Sequence, residues 1–306
     1  MTLSLFFAQV LNGFQLGVLL FLLSAGLTLV LGIMRCINLA HGSLFMMGAY
    51  FAATVFARTD SFFLAVLGAA AGCMVLGLLI ERIVLAKLYT RDHLYQVLAT
   101  FGVILVLNEA VRIVWGQAPV FMDVPPALAS TVNLLGLEYP AYRFAIILAG
   151  LAVGGLLYLV INKTRVGMLI RAGASDATMV SALGVNISLV NAAVFAGGAV
   201  LAGLAGLMSA PILTVQPGMG EPVLILALVV IITGGVGSIR GAFYGALIVG
   251  AVDTIGRAFL PGILRMVVEG SVAQAIGPAI ASMLIYFLMA VVLAVRPAGL
   301  FPVRHG

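Results

Sequence analysis

The sequence predicts an all-α integral membrane protein, a polytopic bundle of about eight to nine membrane segments, some of them short and interrupted. Two observations carry this reading. Hydrophobic residues make up 63% of the 306 residues and charged residues 8%, against about 25% charged in ordinary soluble domains. The 15 basic and 10 acidic side chains cannot clothe a soluble surface of this size, whereas lipid tails accept apolar side chains facing outward. The second observation is that the apolar residues gather in runs close to the roughly 20 residues a spanning helix needs. Residues 1–306 therefore read as a single transmembrane domain.

The runs are Leu5–Ile33, Leu39–Ala57, Phe62–Val84, Tyr95–Val114, Phe144–Ile161, Leu189–Ala210, Pro222–Thr233, Ala242–Phe259 and Val272–Val295. The first is too long for the apolar part of a cleaved signal, and its first basic residue is Arg35, so it reads as a retained span. The net charge of +5 comes from scattered residues. It forms no basic stripe with interleaved aromatics, which argues against a nucleic-acid partner. It reads instead as topology information. With the N-terminus outside, the inner connections carry Arg35, Arg82, Lys87, Arg91, Lys163, Arg165, Arg171, Arg240, Arg296 and Arg304. The outer ones then carry only Arg58, Arg112, Arg143, Arg257 and Arg265. That excess favours N-out, C-in. Cys36 and Cys73 lie in or beside apolar runs and read as packing residues.

Two connections are long. Trp115–Tyr142 contains Pro119, Pro125, Pro126 and Pro140 and is expected to be mostly non-helical. Lys163–Ser188, on the inner side, is different. Ser175 is a plausible N-cap, Asp176 suits the positive end of a helix and Gly184 is a plausible stop, so a short surface helix is expected between them.

Several chemistries are missing. Neither Lys87 nor Lys163 follows a glycine, so no phosphate-binding Gly-Lys-Ser/Thr loop exists, and there is no His-Glu-x-x-His site or Gly-x-Ser-x-Gly elbow. His41, His93 and His305 are too dispersed for a metal site. No catalytic or metal-ligating residue is expected.

The segment Gly234-Gly-Val-Gly-Ser-Ile-Arg-Gly241 reads as a sharp break between two short membrane helices. Such breaks are tolerated only where buried in protein or lining a cavity. Gly234, Gly235, Gly237 and Ser238 are thus candidates for a pathway or gate, against a plain inner-face turn marked by Arg240. Asn38, His41 and Gly42 precede a short apolar segment in a similar way. Polar groups there are costly unless paired or wetted, so the same two readings, gate or structural hydrogen bonding, stand open. Glu109 with Arg112, and Asp253 with Arg257, each share a helix face as candidate ion pairs. In a self-contained secondary transporter or channel they would serve a proton or ion path. The pairs Gly68/Gly72, Gly150/Gly154, Ala199/Gly203 and Gly241/Gly245 have the four-residue spacing of close helix packing. Glu221, in Gln216–Pro222, could cap the next helix or meet an external protein.

Residues 26–50, 167–186, 195–211, 234–250 and 296–301 (GLTLVLGIMRCINLAHGSLFMMGAY, GMLIRAGASDATMVSALGVN, FAGGAVLAGLAGLMSAP, GGVGSIRGAFYGALIVG and RPAGLF) together resemble the LivH-type permeases. These are type II-like membrane subunits of bacterial ABC importers for branched-chain amino acids. The resemblance implies a single permease domain in the bacterial inner membrane with no cofactor of its own. It implies a homologous LivM-like permease, two LivG/LivF-like ATPase subunits that use ATP and magnesium, and an extracytoplasmic binding protein as partners. By resemblance, Gly167, Arg171, Asp176, Ala182, Gly184 and Asn186 are the candidates for coupling to the ATPases. The substrate would be a branched-chain or other hydrophobic amino acid, with urea or short amides as the alternative.

Overall fold

The computed structural model describes residues 3–34, 36, 38–89, 91–134 and 136–302. Arg35, Arg304 and His305, named above, lie outside the described residues. Eleven helices are described: α1 (Leu3–Met34), α2 (His41–Thr59), α3 (Phe62–Ile83), α4 (His93–Trp115), α5 (Ala141–Lys163), α6 (Arg165–Ser175), α7 (Ala177–Ala182), α8 (Ile187–Ser209), α9 (Gly220–Gly234), α10 (Ile239–Leu264) and α11 (Gly270–Val295). Each of the nine apolar runs forms one helix. Seven of these helices, α1, α3, α4, α5, α8, α10 and α11, are long and apolar enough to cross a membrane.

The other two fall outside that set for separate reasons. α9 has 15 residues and is about 22 Å long at the helical rise, short of a roughly 30 Å hydrocarbon core. α2 opens on His41, Gly42 and Ser43 and carries Arg58 in its last turn, which dilutes its apolar character. On the surface the pattern is that of a lipid-facing protein, with Ile113 83% and Phe287 68% exposed.

The chain divides into two compact units. The first comprises Met1–Phe21, Pro125–Leu151 and Leu226–Val303. In it α10 packs along α11, and Gly277 lies against the ring of Pro261. The connection expected to be non-helical holds a small antiparallel hairpin, β1 (Thr131–Leu134) with β2 (Leu137–Pro140), in the register Thr131 with Pro140. Gly136 takes the turn at φ +90°, and its N–H donates to Asn133 Oδ1 over 2.7 Å. The hairpin is tied to α1 by Asn12, whose Oδ1 accepts from Tyr139 Oη at 3.1 Å and from Arg143 Nη1 at 2.8 Å.

The second unit comprises Leu22–Val124, Ala152–Ile225 and Arg304–Gly306. Its centre is α2, packed between α8 and α3, which also pack on each other. The α2–α8 contact is backbone against backbone. A Cβ on Gly48 would run into the Gly203 backbone, and one on Gly206 into the carbonyl oxygen of Phe45. Among the expected small-residue pairs, Gly68 and Gly72 sit under Val55 and Phe51 of α2, and Gly203 also receives Cys73 of α3. Trp115 Nε1 donates to Thr54 Oγ1 at 2.7 Å, fastening the end of α4 to α2.

This contact has a direct test. Gly48→Ala forces two helix backbones apart and should cost at least about 3 kcal/mol. Gly197→Ala, at a position with open space around it, should cost little. The fraction of extracted protein eluting as a single species on size exclusion would fall sharply for the first and stay unchanged for the second.

Candidate functional site

The coupling candidates are the joints of one segment. Thr164 caps α6, its Oγ1 accepting from Gly167 N at 3.2 Å. A Cβ on Gly167 would strike the carbonyl oxygens of Val160 and Ile161, so the first turn of α6 lies directly on the last turn of α5. One turn further, Arg171 Nη1 donates to the Ile161 carbonyl. A cation there satisfies an orphan carbonyl and sits favourably at the negative end of α5.

The expected short helix is α7, and a second helix, α6, precedes it where none was expected. α6 ends at Ser175, and Asp176, not Ser175, is the N-cap of α7: its Oδ1 accepts from Met179 N at 2.9 Å. An extended residue, φ −147° and ψ 94°, separates the helices, so Asp176 forms an elbow. Ala182 closes α7 on the surface. Gly184 follows at φ +86°, the left-handed stop expected of it. Asn186 caps α8, accepting from Leu189 N at 3.1 Å. Met179 and Leu183 project from this segment 60% and 76% exposed.

Against the elbow, in the same unit, lies a second set of groups. Glu81, in the last turn of α3, is fully buried. Its Oε1 accepts from Tyr89 Oη at 2.7 Å, and its Oε2 has no partner among the described residues. Burial, and then the hydrogen bond to Glu81, push the Tyr89 phenol up from its ordinary value, so Tyr89 remains a donor at neutral pH. Gln96 Nε2 donates to the carbonyls of Leu88 and Arg91, and Thr100 Oγ1 accepts from Leu39 N at 3.3 Å. These ties hold α4 against the α1–α2 connection. Burial pushes the Cys36 thiol in that connection up to about 11, in keeping with packing rather than reactivity.

The pathway candidates fall in different units. In the second unit, Asn38 and His41 are buried. Asn38 Oδ1 accepts from Ala40 N at 3.0 Å, forming the turn that starts α2, and its Nδ2 has no partner among the described residues. His41 Nε2 lies 3.1 Å from the Leu23 carbonyl. A carbonyl only accepts, so Nε2 carries the proton and Nδ1 is a bare acceptor, without a partner among the described residues. Gly42 lets the start of α2 meet Gly220 and Leu224 of α9. In the first unit, Gly235 and Gly237, at φ +113° and +80°, turn the chain from α9 into α10, and Ser238 Oγ accepts from Gly241 N at 3.0 Å. Phe301 N donates to the Gly234 carbonyl and Leu300 N to that of Thr233, each at 2.9 Å. A closing segment of the chain thus covers this break.

The two acid–base pairs read from spacing are ion pairs, Arg112 Nη1–Glu109 Oε1 and Arg257 Nε–Asp253 Oδ1, both 2.9 Å. Glu221 lies in the first turn of α9, and its Oε1 accepts from Asn108 Nδ2 at 2.6 Å. Asn108 Oδ1 in turn accepts from Gly218 N. The Glu81–Tyr89 pair, the Asn12 cluster and the Asn108–Glu221 tie were missed in the sequence. Their only local signal is a lone polar residue in an apolar run.

The model of the branched-chain amino acid transport system permease component family matches residues 9–294. The chain belongs to that family. The match runs through both compact units. Relatives of this permease include the high-affinity branched-chain amino acid transport system permease protein BraD of Pseudomonas aeruginosa, 29% identical over 95% of this chain and 94% of the relative. LivH of Escherichia coli K12, another such permease protein, is 29% identical over 83% and 87%. A probable branched-chain amino acid transport permease protein LivH of Methanocaldococcus jannaschii is 26% identical over 78% and 76%. No solved structure matches. The chain is a multi-pass membrane permease component of a transport system and not an enzyme.

The buried carboxylate makes a test. Tyr89→Phe leaves Glu81 with neither oxygen paired among the described residues and should cost about 1–3 kcal/mol. Adding Glu81→Gln should recover most of that loss. A thiol-reactive dye that reports exposure of the buried Cys36 and Cys73 on heating would measure both.

Proposed function

We propose that this permease is the LivH-like half of an ATP-driven importer and passes branched-chain or other hydrophobic amino acids across the bacterial inner membrane. The observation that carries the mechanism is the α5–α6–α7–α8 segment, in which every candidate coupling residue is a joint. Gly167 and Arg171 bind α6 to the end of α5, Asp176 is the elbow, Ala182 and Gly184 close α7, and Asn186 starts α8. A push on α7 is therefore delivered to two spanning helices through short, saturated contacts. The exposed Met179 and Leu183 give a partner something apolar to grip.

In this reading the partners are a LivM-like permease, two LivG/LivF-like ATPases that hold ATP and magnesium, and an extracytoplasmic binding protein that sets specificity. Residues 1–306 act as one permease domain, N-terminus outside and C-terminus cytoplasmic, as the basic residues of the inner connections support. Closure of the ATPases moves α7, re-tilts α5 and α8 and opens the pathway alternately to each side. Asn38, His41 and Gly42, and separately Gly234, Gly235, Gly237 and Ser238, serve as its gates. His41 Nδ1 and Asn38 Nδ2, which have no partner among the described residues, support the first, since buried polar atoms left open are costly unless something polar reaches them. The ion pairing of Glu109 and Asp253 and the family relatives disfavour a self-contained transporter.

Affinity purification in mild detergent should recover two ATPases and a second permease. Leu183→Asp should abolish that recovery of ATPases, and at least about tenfold of ATP-driven leucine uptake, while leaving the amount of folded permease unchanged. Uptake of leucine by the chain alone in liposomes would overturn the assignment.

A further inference from the structure

A cavity of about 750 Å³ opens at the α6–α7 elbow, wholly within the second unit. Its size is that of a small-molecule site. The end of α1 contributes Met34, the connection before α4 contributes Arg91 and the first turn of α4 Gln96, the elbow contributes Asp176, and the first turn of α8 contributes Val190. Three kinds of chemistry therefore share one space. Met34 and Val190 are apolar. The Arg91 guanidinium makes no hydrogen bond or ion pair among the described residues, while the Arg91 carbonyl is held by Gln96. Asp176 spends Oδ1 on Met179 N, and its second oxygen has no partner among the described residues.

An exposed cation, an exposed carboxylate and an aliphatic wall together match a zwitterion with an apolar side chain. A phosphate headgroup would meet Asp176 as a like charge, and a purely apolar ligand would leave both charges unused. Both fit less well. We infer that the cavity binds an aliphatic α-amino acid from the cytoplasmic side, carboxylate to Arg91 and ammonium to Asp176, and that its occupancy restrains the elbow and slows ATP turnover. The inference rests on the coupling role of α7, because Asp176 both lines the cavity and starts that helix. An occupant that touches Asp176 favours one setting of the elbow. By linkage it then opposes whatever drives the elbow to the other setting. The result is product inhibition: the imported amino acid, accumulating inside, throttles its own carrier.

The test uses the whole transporter in proteoliposomes, ATPases facing outward, with binding protein and leucine enclosed. ATP turnover is followed as leucine is raised into the millimolar range in the outer medium. Turnover should fall at least about 3-fold, a coupling of the usual allosteric size. Arg91→Gln should keep its turnover without outer leucine and need at least about tenfold more leucine for the same inhibition. Met34→Phe, which fills the apolar wall, should behave alike and serves if Arg91→Gln assembles poorly. Octanoate and isopentylamine, each carrying half of the zwitterion, should inhibit far more weakly. Turnover indifferent to outer leucine, inhibition equal in both variants and the parent, or octanoate as potent as leucine would overturn this inference alone. Absence of any substrate-stimulated turnover would overturn the coupling reading and this inference with it.

Discussion

The second unit depends on the contact between the backbones of α2 and α8. Between helices in lipid there is no hydrophobic gain from excluding water, so close van der Waals approach and buried hydrogen bonds must supply the association. Gly48, Gly203 and Gly206 remove every side-chain atom from the closest points of approach. The surface of α2 is thereby spent on protein neighbours from His41 to Ala53. This explains how a helix that opens on His-Gly-Ser can sit at membrane depth. Its polar start need not face hydrocarbon, because α1 supplies the Leu23 carbonyl to His41 and Gly26 leaves room for the ring.

From that fixed helix the rest of the unit gains its positions. α4 is tied to α2 at its far end by Trp115 and to the α1–α2 connection by Thr100. α3 carries Glu81 to Tyr89 just before α4 starts. The elbow at Asp176 therefore faces a firm wall. Rigid surroundings and a two-helix segment joined by one extended residue suit a part that transmits a push. In the proposed coupling role, displacement applied to α7 would be passed to the ends of α5 and α8 rather than absorbed by soft neighbours.

Much of this was legible in the sequence for a physical reason: the signals are local. Apolar runs mark the helices because the bilayer demands continuous hydrophobicity, and Gly184, Gly235 and Gly237 mark turns because few other residues adopt positive φ. The i, i+3 and i, i+4 spacing of Glu109 with Arg112 and of Asp253 with Arg257 gives the ion pairs. The N-cap of α7 falls one residue after the one expected, since Ser175 and Asp176 are both good caps and only the hydrogen bond to Met179 N decides between them. The hairpin at Thr131–Pro140 was hidden among prolines.

What stayed illegible lies in pairings that no helix periodicity marks. Glu81 reads as one acid beside Arg82 at the end of a span, a natural interfacial position, yet the fold buries it completely and gives it a phenol eight residues on. Asn108 reads as a stray amide beside Glu109, yet it reaches 113 residues onward to Glu221. Such pairs exist because a polar group in a low-dielectric interior must be matched wherever the fold happens to bring a partner. The cavity at the elbow follows the same logic. Arg91 looks like one more inner-side topology marker, and its surplus valence emerges only when Asp176, Met34 and Val190 are seen around the same space. Arg91 and Asp176 are both exposed, so water meets their charges when the space is empty; what sets the space apart is that a cation, an anion and apolar walls open into it together, and that combination matches a zwitterion with an apolar side chain.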